Sequence, residues 1–196
     1  MTAFWYMSRA TGIVALVLLT AVFVLGIAVR GKSTLPGLPR FGTTDLHRNI
    51  SLLAVVFVAV HVLTAVLDSF VHIPLLAAVV PFSSGYERLW LGIGAVGFDL
   101  MLALIVTSLL RGRLNPRLWR AIHLTAYLCW PIALVHSVFA SKDLRQFPMM
   151  FIAIASVVLI IAAVAWRVVH AARQVPSADR VTMLLDAARE PEKAAR

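Results

Sequence analysis

Long apolar runs, separated by short polar connections, dominate the chain from residue 10 to residue 169. A helix rises about 1.5 Å per residue, so it needs about 20 residues to cross the roughly 30 Å hydrocarbon layer of a bilayer. Five runs reach that length, and they lie at residues 10–29, 47–67, 89–110, 119–139 and 148–169. We therefore predict an all-α integral membrane protein with a five-helix transmembrane bundle in residues 1–170. Residues 171–196 are predicted to form a tail that is a short amphipathic helix or disordered.

The composition is also typical of a protein embedded in the lipid bilayer. The 196 residues are 61% hydrophobic and 14% charged, whereas soluble domains are about half apolar and a quarter charged. The net charge of +9 does not indicate a nucleic-acid partner, because the basic residues form short clusters between apolar runs and not one continuous face. A single cysteine, Cys129, excludes an intramolecular disulfide.

The basic residues are concentrated on one predicted side of the membrane. The connections after the first and third runs and the start of the tail carry most of them: Arg30, Lys32, Arg40, Arg48, Arg111, Arg113, Arg117, Arg120, Arg167 and Arg173. The opposite side carries only Arg9, Arg88, Lys142 and Arg145 near the spans. The positive-inside rule then predicts a multi-pass protein of the inner (plasma) membrane, with its N-terminus outside and its C-terminus in the cytoplasm. The first run is too long, and its following flank too basic, for a cleaved signal peptide, so we interpret it as a retained span.

Four histidines occupy matched depths in two spans that this topology makes parallel. His47 and His61 belong to the second span, and His123 and His136 belong to the fourth. The two levels are separated by about 21 Å in one span and about 20 Å in the other. Two imidazoles at one depth commonly hold a haem iron, and polar residues inside a membrane usually mark function. The pattern therefore indicates two haems stacked across the bilayer.

Rotation around the helix axis supports one histidine pair more directly than the other. At about 100° per residue, His47 and His61 share a face, whereas His123 and His136 are about 140° out of phase. Pro131 lies between the latter two, and a kink or local unwinding there would bring both imidazoles inward. The alternative is that the four histidines are interfacial or packed side chains with hydrogen-bond partners.

The pattern H-x13-H on one helix and H-x12-H two helices later resembles the ferric reductase-like transmembrane domain. That family includes ferric reductases, NADPH oxidases and the haem-bearing membrane subunit of a bacterial methionine sulfoxide reductase. The resemblance extends over residues 5–170 and implies that the chain holds two b-type haems, one near each membrane face. It implies that the haem ligands are His47, His61, His123 and His136.

Several family members continue into cytoplasmic flavin and nicotinamide domains, for which the tail has no room. The resemblance therefore implies that this chain binds no flavin or NAD(P) itself and receives electrons from a separate donor protein, a flavoprotein, or from quinol. The segment GIGAVG, with Gly92, Gly94 and Gly97, matches a dinucleotide-binding pattern. It lies inside an apolar span with no preceding strand, so we interpret these glycines as close helix packing or room for a porphyrin.

Four charged residues near the predicted ligands are further candidates. Arg48 and Arg120 flank the cytoplasmic histidines and Arg9 begins the first span, so each is a candidate partner of haem propionates. Snorkelling or positive-inside placement explains the same arginines without a ligand. Asp99 lies deep inside the third span. It is a candidate for relaying protons, lining a quinone site or hydrogen-bonding a haem ligand, or it is a structural residue facing the bundle interior.

These observations predict transmembrane electron transfer from a cytoplasmic flavoprotein or quinol to an acceptor on the outer face. The chain would then be the haem-bearing membrane subunit of an oxidoreductase. One alternative is a quinone-linked cytochrome b that anchors a dehydrogenase. Another is a haem-free metal-ion transporter that uses the histidines as ligands. A purely structural membrane subunit is a third, but it gives no reason for the matched histidine depths.

Overall fold

The chain folds into seven helices within the residues that the computed structural model describes, which are 2–31, 39–140 and 149–173. The helices are α1 Ala3–Arg30, α2 Arg40–Leu67, α3 Leu76–Val79, α4 Arg88–Leu109, α5 Pro116–Leu124, α6 Ala126–Ala140 and α7 Met149–Arg173. Five stretches, in which α5 and α6 count as one, are long and apolar enough to cross a membrane. The predicted all-α, five-span architecture is thereby confirmed. The amphipathic helix predicted in the tail falls beyond residue 173, outside the described residues.

The first two helices extend beyond the apolar runs that predicted them. Helix α1 begins at Ala3, where the Thr2 hydroxyl caps it by accepting a hydrogen bond of 3.1 Å from the Trp5 N–H. Helix α2 begins directly after Pro39. A helix continues through polar residues until a local signal stops it, such as a capping side chain or a proline. The hydrophobic pattern thus locates the span, whereas the caps locate the ends of the helix.

The fourth span is interrupted at Thr125, between α5 and α6. The Thr125 N–H donates to the Ile122 carbonyl at 3.0 Å, and the Leu128 N–H donates to the Thr125 carbonyl at 2.9 Å. Both bonds join residues three apart, which is the tighter 3₁₀ pattern. The Thr125 hydroxyl also donates to the Ile122 carbonyl at 2.6 Å. The interruption lies six residues before Pro131, which is inside α6, and not at the proline itself.

This interruption bears on the phase of the two histidines in the span. A 3₁₀ turn advances about 120° per residue in place of about 100°, so each tightened residue adds about 20° of rotation. Each residue in the 3₁₀ turn therefore reduces the predicted angle of about 140° between His123 and His136 by about 20°. The sequence predicts a kink or a local unwinding that brings both imidazoles inward. The structure has a local overwinding instead, which changes the phase in the same favourable sense.

The bundle is organised around α1. Helix α1 packs most extensively against α2 and also against α6 and α7, and α4 packs against α6. A small core of Leu16, Trp130 and Ile160 joins three of these helices. The Trp130 indole N–H donates to the Thr20 hydroxyl at 2.8 Å, which ties α6 to α1. Helices α2 and α6, which carry three of the four histidines, share few close backbone contacts, so side chains and a cavity fill the space between them.

Candidate functional site

His61 and His136 face each other across that space, and we call them the upper pair. His61 lies near the end of α2 beside the start of α1, and His136 lies near the end of α6 beside the start of α4. Their ring centroids are 6.2 Å apart and their planes are inclined at 77°. Antiparallel packing of each histidine helix against a neighbour thus brings the two imidazoles to the same end of the bundle.

A backbone carbonyl fixes each ring of the upper pair. His61 Nδ1 donates to the Ser8 carbonyl at 2.7 Å, and His136 Nδ1 donates to the Trp90 carbonyl at 2.8 Å. Since a carbonyl can only accept, each Nδ1 carries the proton and each Nε2 keeps a free lone pair. Hydrogen bonds of this kind orient metal-binding imidazoles and make them more basic.

The distance between the rings matches two imidazoles that share one metal ion. Nitrogens bound on opposite sides of an ion are about 4 Å apart, and each ring centroid lies about 1 Å further out, which puts the centroids about 6 Å apart. The observed separation is 6.2 Å. The upper pair therefore has the spacing of the two axial ligands of a haem.

A cavity of about 290 Å³ is lined by both histidines of the upper pair. Most of its wall is apolar, whereas Arg9, Asp68 and Tyr86 line it at the end where α1 begins. The Arg9 guanidinium lies 3.7 Å from the Trp5 ring centroid. Asp68 is buried and accepts hydrogen bonds from the Thr2 hydroxyl and the Phe70 N–H. Apolar walls, facing imidazoles and polar groups at one edge fit an amphiphilic planar group such as a haem.

His47 and His123 lie at the opposite end of the bundle, and we call them the lower pair. Neither Nδ1 forms a hydrogen bond with the described residues, although the Val22 carbonyl lies near the His47 ring. His123 stacks on Trp119 with centroids 4.8 Å apart and planes inclined at 17°. Position along two helices, and not hydrogen bonding, brings the lower pair together.

The charged candidates are distributed unevenly between the two ends. Arg9 lines the cavity of the upper pair. Arg48 is exposed beside His47, and Arg120 is exposed, with its Nε donating to the Pro116 carbonyl at 3.1 Å. Asp99 is half-buried on α4 and is not among the residues that line the cavity. Of these four residues, the structure brings only Arg9 to the upper pair.

The fold and the paired imidazoles define a helical membrane protein with a candidate site for a planar metal cofactor. A sequence profile described as "Ferric reductase like transmembrane component" matches residues 11–134, more than half of the chain. The chain therefore belongs to this family, whose transmembrane domains are generally haem-binding and whose membership suggests transmembrane electron transfer. The match includes three of the four histidines and ends two residues before His136. No match was found among curated proteins or among solved structures.

Sequence reasoning did not identify the groups that hold the histidines. A Cβ atom added at Gly12 would lie 2.9 Å from His61 Nδ1, and one added at Gly26 would lie 3.6 Å from His47 Cε1. Gly12 and Gly26 are fourteen residues apart, as are His47 and His61. An equal spacing of glycines and histidines on two antiparallel helices is the signal that would have revealed this contact.

Proposed function

We propose that this protein carries electrons across the bilayer through two b-type haems. The upper pair, His61 and His136, holds one haem, and the lower pair, His47 and His123, holds the other. The donor is a separate cytoplasmic flavoprotein or quinol, and the acceptor lies on the outer face. Family membership supports the transfer of electrons, and the positive-inside rule supports the orientation.

The geometry of the upper pair is the observation that carries this proposal. A packed histidine needs only one partner for its polar atoms, and both rings already have one in a carbonyl. Even so, the second nitrogen of each ring is an acceptor, both rings line one largely apolar cavity, and their centroids are 6.2 Å apart, which suits two imidazoles on one metal ion. Leaving two such acceptors inside a membrane is costly unless a ligand uses them.

Bound haem supplies reversible one-electron chemistry at its iron, with a potential set by the axial ligands and their surroundings. The chain's own residues bind the cofactor and fix its orientation. His61 and His136 offer Nε2 lone pairs in a fixed direction, because their Nδ1 atoms are held by carbonyls. Arg9 brings a positive charge to the polar edge of the cavity, which suits a propionate.

The same geometry argues against a metal-ion transporter. A site that carries a bare cation surrounds it with several protein ligands, typically four to six. Within the described ranges, no group of three or more His, Cys, Asp or Glu side chains is placed to hold a metal ion. A cavity lined by two facing imidazoles would instead suit a cofactor that brings its own metal ligands.

The test is the haem content of the purified protein after haem-replete expression. We expect a Soret band, and a pyridine haemochromogen assay should give two haems per chain. His72 is exposed, outside both pairs, so His72→Ala should keep both haems, while His136→Ala should keep one. A folded wild-type protein without a Soret band would refute the proposal and leave the transporter alternative standing.

The proposed direction depends on topology, which has its own test. A tag at the N-terminus should be reachable from outside intact cells, and a tag at the C-terminus should be reachable only after permeabilisation. The reverse labelling would place the upper pair on the cytoplasmic side and reverse the proposed direction of electron flow.

A further inference from the structure

In an α-helix, the outward-facing side of the carbonyl of residue i is normally covered by the side chain of residue i+4, one turn later in the chain. Each Cα–Cβ bond tilts toward the N-terminus, so residue i+4 covers the turn that contains the carbonyl of residue i. An imidazole that donates to that carbonyl must lie where this Cβ would be. Only glycine at i+4 leaves the carbonyl open to a ring approaching from another helix.

Both histidines of the upper pair meet this arrangement. His61 donates to the Ser8 carbonyl and rests on Gly12, and His136 donates to the Trp90 carbonyl and rests on Gly94. In each case the glycine follows the accepting carbonyl by four residues. We call each such pair, a carbonyl that accepts from the ring and a glycine four residues later, a histidine seat. The two seats belong to different helices, α1 and α4, so the same arrangement occurs twice in one cavity.

We propose that Gly12 and Gly94 are positioning residues that set the ring orientation and tautomer of the two upper haem ligands. This inference rests on the proposed function, because it assigns a purpose to the Nε2 atoms that the seats direct into the cavity. It goes beyond that function by placing control of the site in two residues that carry no side chain. Both glycines also line the cavity, and the proposal is that each acts through its histidine.

A side chain at either position would collide with the histidine ring, so the ring would have to move. A Cβ at Gly94 would lie 2.5 Å from His136 Nδ1 and 2.6 Å from its Cε1, and a Cβ at Gly12 would lie 2.9 Å from the same two atoms of His61. The atoms in collision belong to the ring edge that makes the hydrogen bond. A methyl group there must displace the ring from its carbonyl, and Nε2 moves with the ring.

Two other glycines give graded comparisons. A Cβ at Gly97, one turn beyond Gly94 on α4, would lie 2.9 Å from the Ile132 side chain, an equally tight contact in the same cavity that involves no histidine. Gly26 follows the Val22 carbonyl by four residues and lies beside His47, so it repeats the arrangement at the lower pair, with a looser Cβ contact of 3.6 Å. Gly97→Ala therefore measures the effect of crowding the cavity without touching a histidine, and Gly26→Ala tests the same arrangement where the contact leaves room for a methyl group.

The experiment compares Gly94→Ala, Gly12→Ala, Gly97→Ala and Gly26→Ala in the full-length protein. Haem retention, the two midpoint potentials and the thermal midpoint are measured for each variant. Loss of an outer-shell partner of a metal ligand typically weakens metal binding about 10- to 100-fold. We expect Gly94→Ala, and less strongly Gly12→Ala, to weaken haem binding within this range at the upper pair and to shift that haem's potential. The lower haem serves as an internal reference and should be unchanged.

Gly97→Ala should lower the thermal midpoint and shift the upper haem's potential less than Gly94→Ala does. Gly26→Ala, whose Cβ reaches only ordinary contact with His47, should change the lower haem less than Gly12→Ala changes the upper one. The inference is overturned if Gly94→Ala and Gly12→Ala retain both haems with wild-type potentials, or if they change no more than Gly97→Ala does. That outcome differs from failure of the proposed function, in which wild-type protein itself binds no haem.

Discussion

The upper and lower pairs use the same side chain but hold it in different ways. Upper His61 and His136 are fixed by carbonyls at 2.7 Å and 2.8 Å and rest on glycines. Lower His47 and His123 form no hydrogen bond through Nδ1 with the described residues. His123 is held instead by stacking on Trp119, which in turn lies under the Arg111 guanidinium at 4.5 Å from the ring centroid.

This difference has a chemical consequence under the proposed function. A carbonyl that accepts from Nδ1 makes an imidazole a stronger electron donor to a bound metal, which stabilises the oxidised ion. We therefore expect the upper haem to have the lower midpoint potential of the two. Equal numbers of histidines at the two ends do not make equivalent sites.

The largest effect on haem content is expected from double variants that test which histidines share a haem. His61→Ala combined with His136→Ala should remove one haem, since both ligands belong to one site. His47→Ala combined with His136→Ala should remove both, because the two pairs are separated by about 21 Å along the helix. The measurement is the pyridine haemochromogen count per chain, together with the midpoint potential of whatever haem remains.

His170→Ala is a suitable control for this series, because His170 stacks on Trp166 in α7, away from both pairs. That variant should keep both haems. The proposed pairing fails if the first double variant loses both haems while the protein remains folded.

The sequence predicted the spans and the matched depths of the four histidines, because both follow from residue type and spacing along one helix. It did not predict the break at Thr125, since the proline at which a bend was expected lies six residues further on, inside α6. It also did not predict the seats. The Ser8 and Trp90 carbonyls are backbone groups that every residue has, and the register of α1 against α2 decides which of them meets a histidine.

A smaller effect is expected from the stacking partner of the lower pair. Trp119→Leu should weaken haem binding at His123 by up to about tenfold, because an aromatic pair contributes about 0.5–1.5 kcal/mol. Trp119→Phe keeps a ring under His123 and should retain most of the affinity. Haem titration of each variant measures this, with the upper haem as the reference. Tighter binding in Trp119→Leu would mean that the stack holds His123 away from its ligand position.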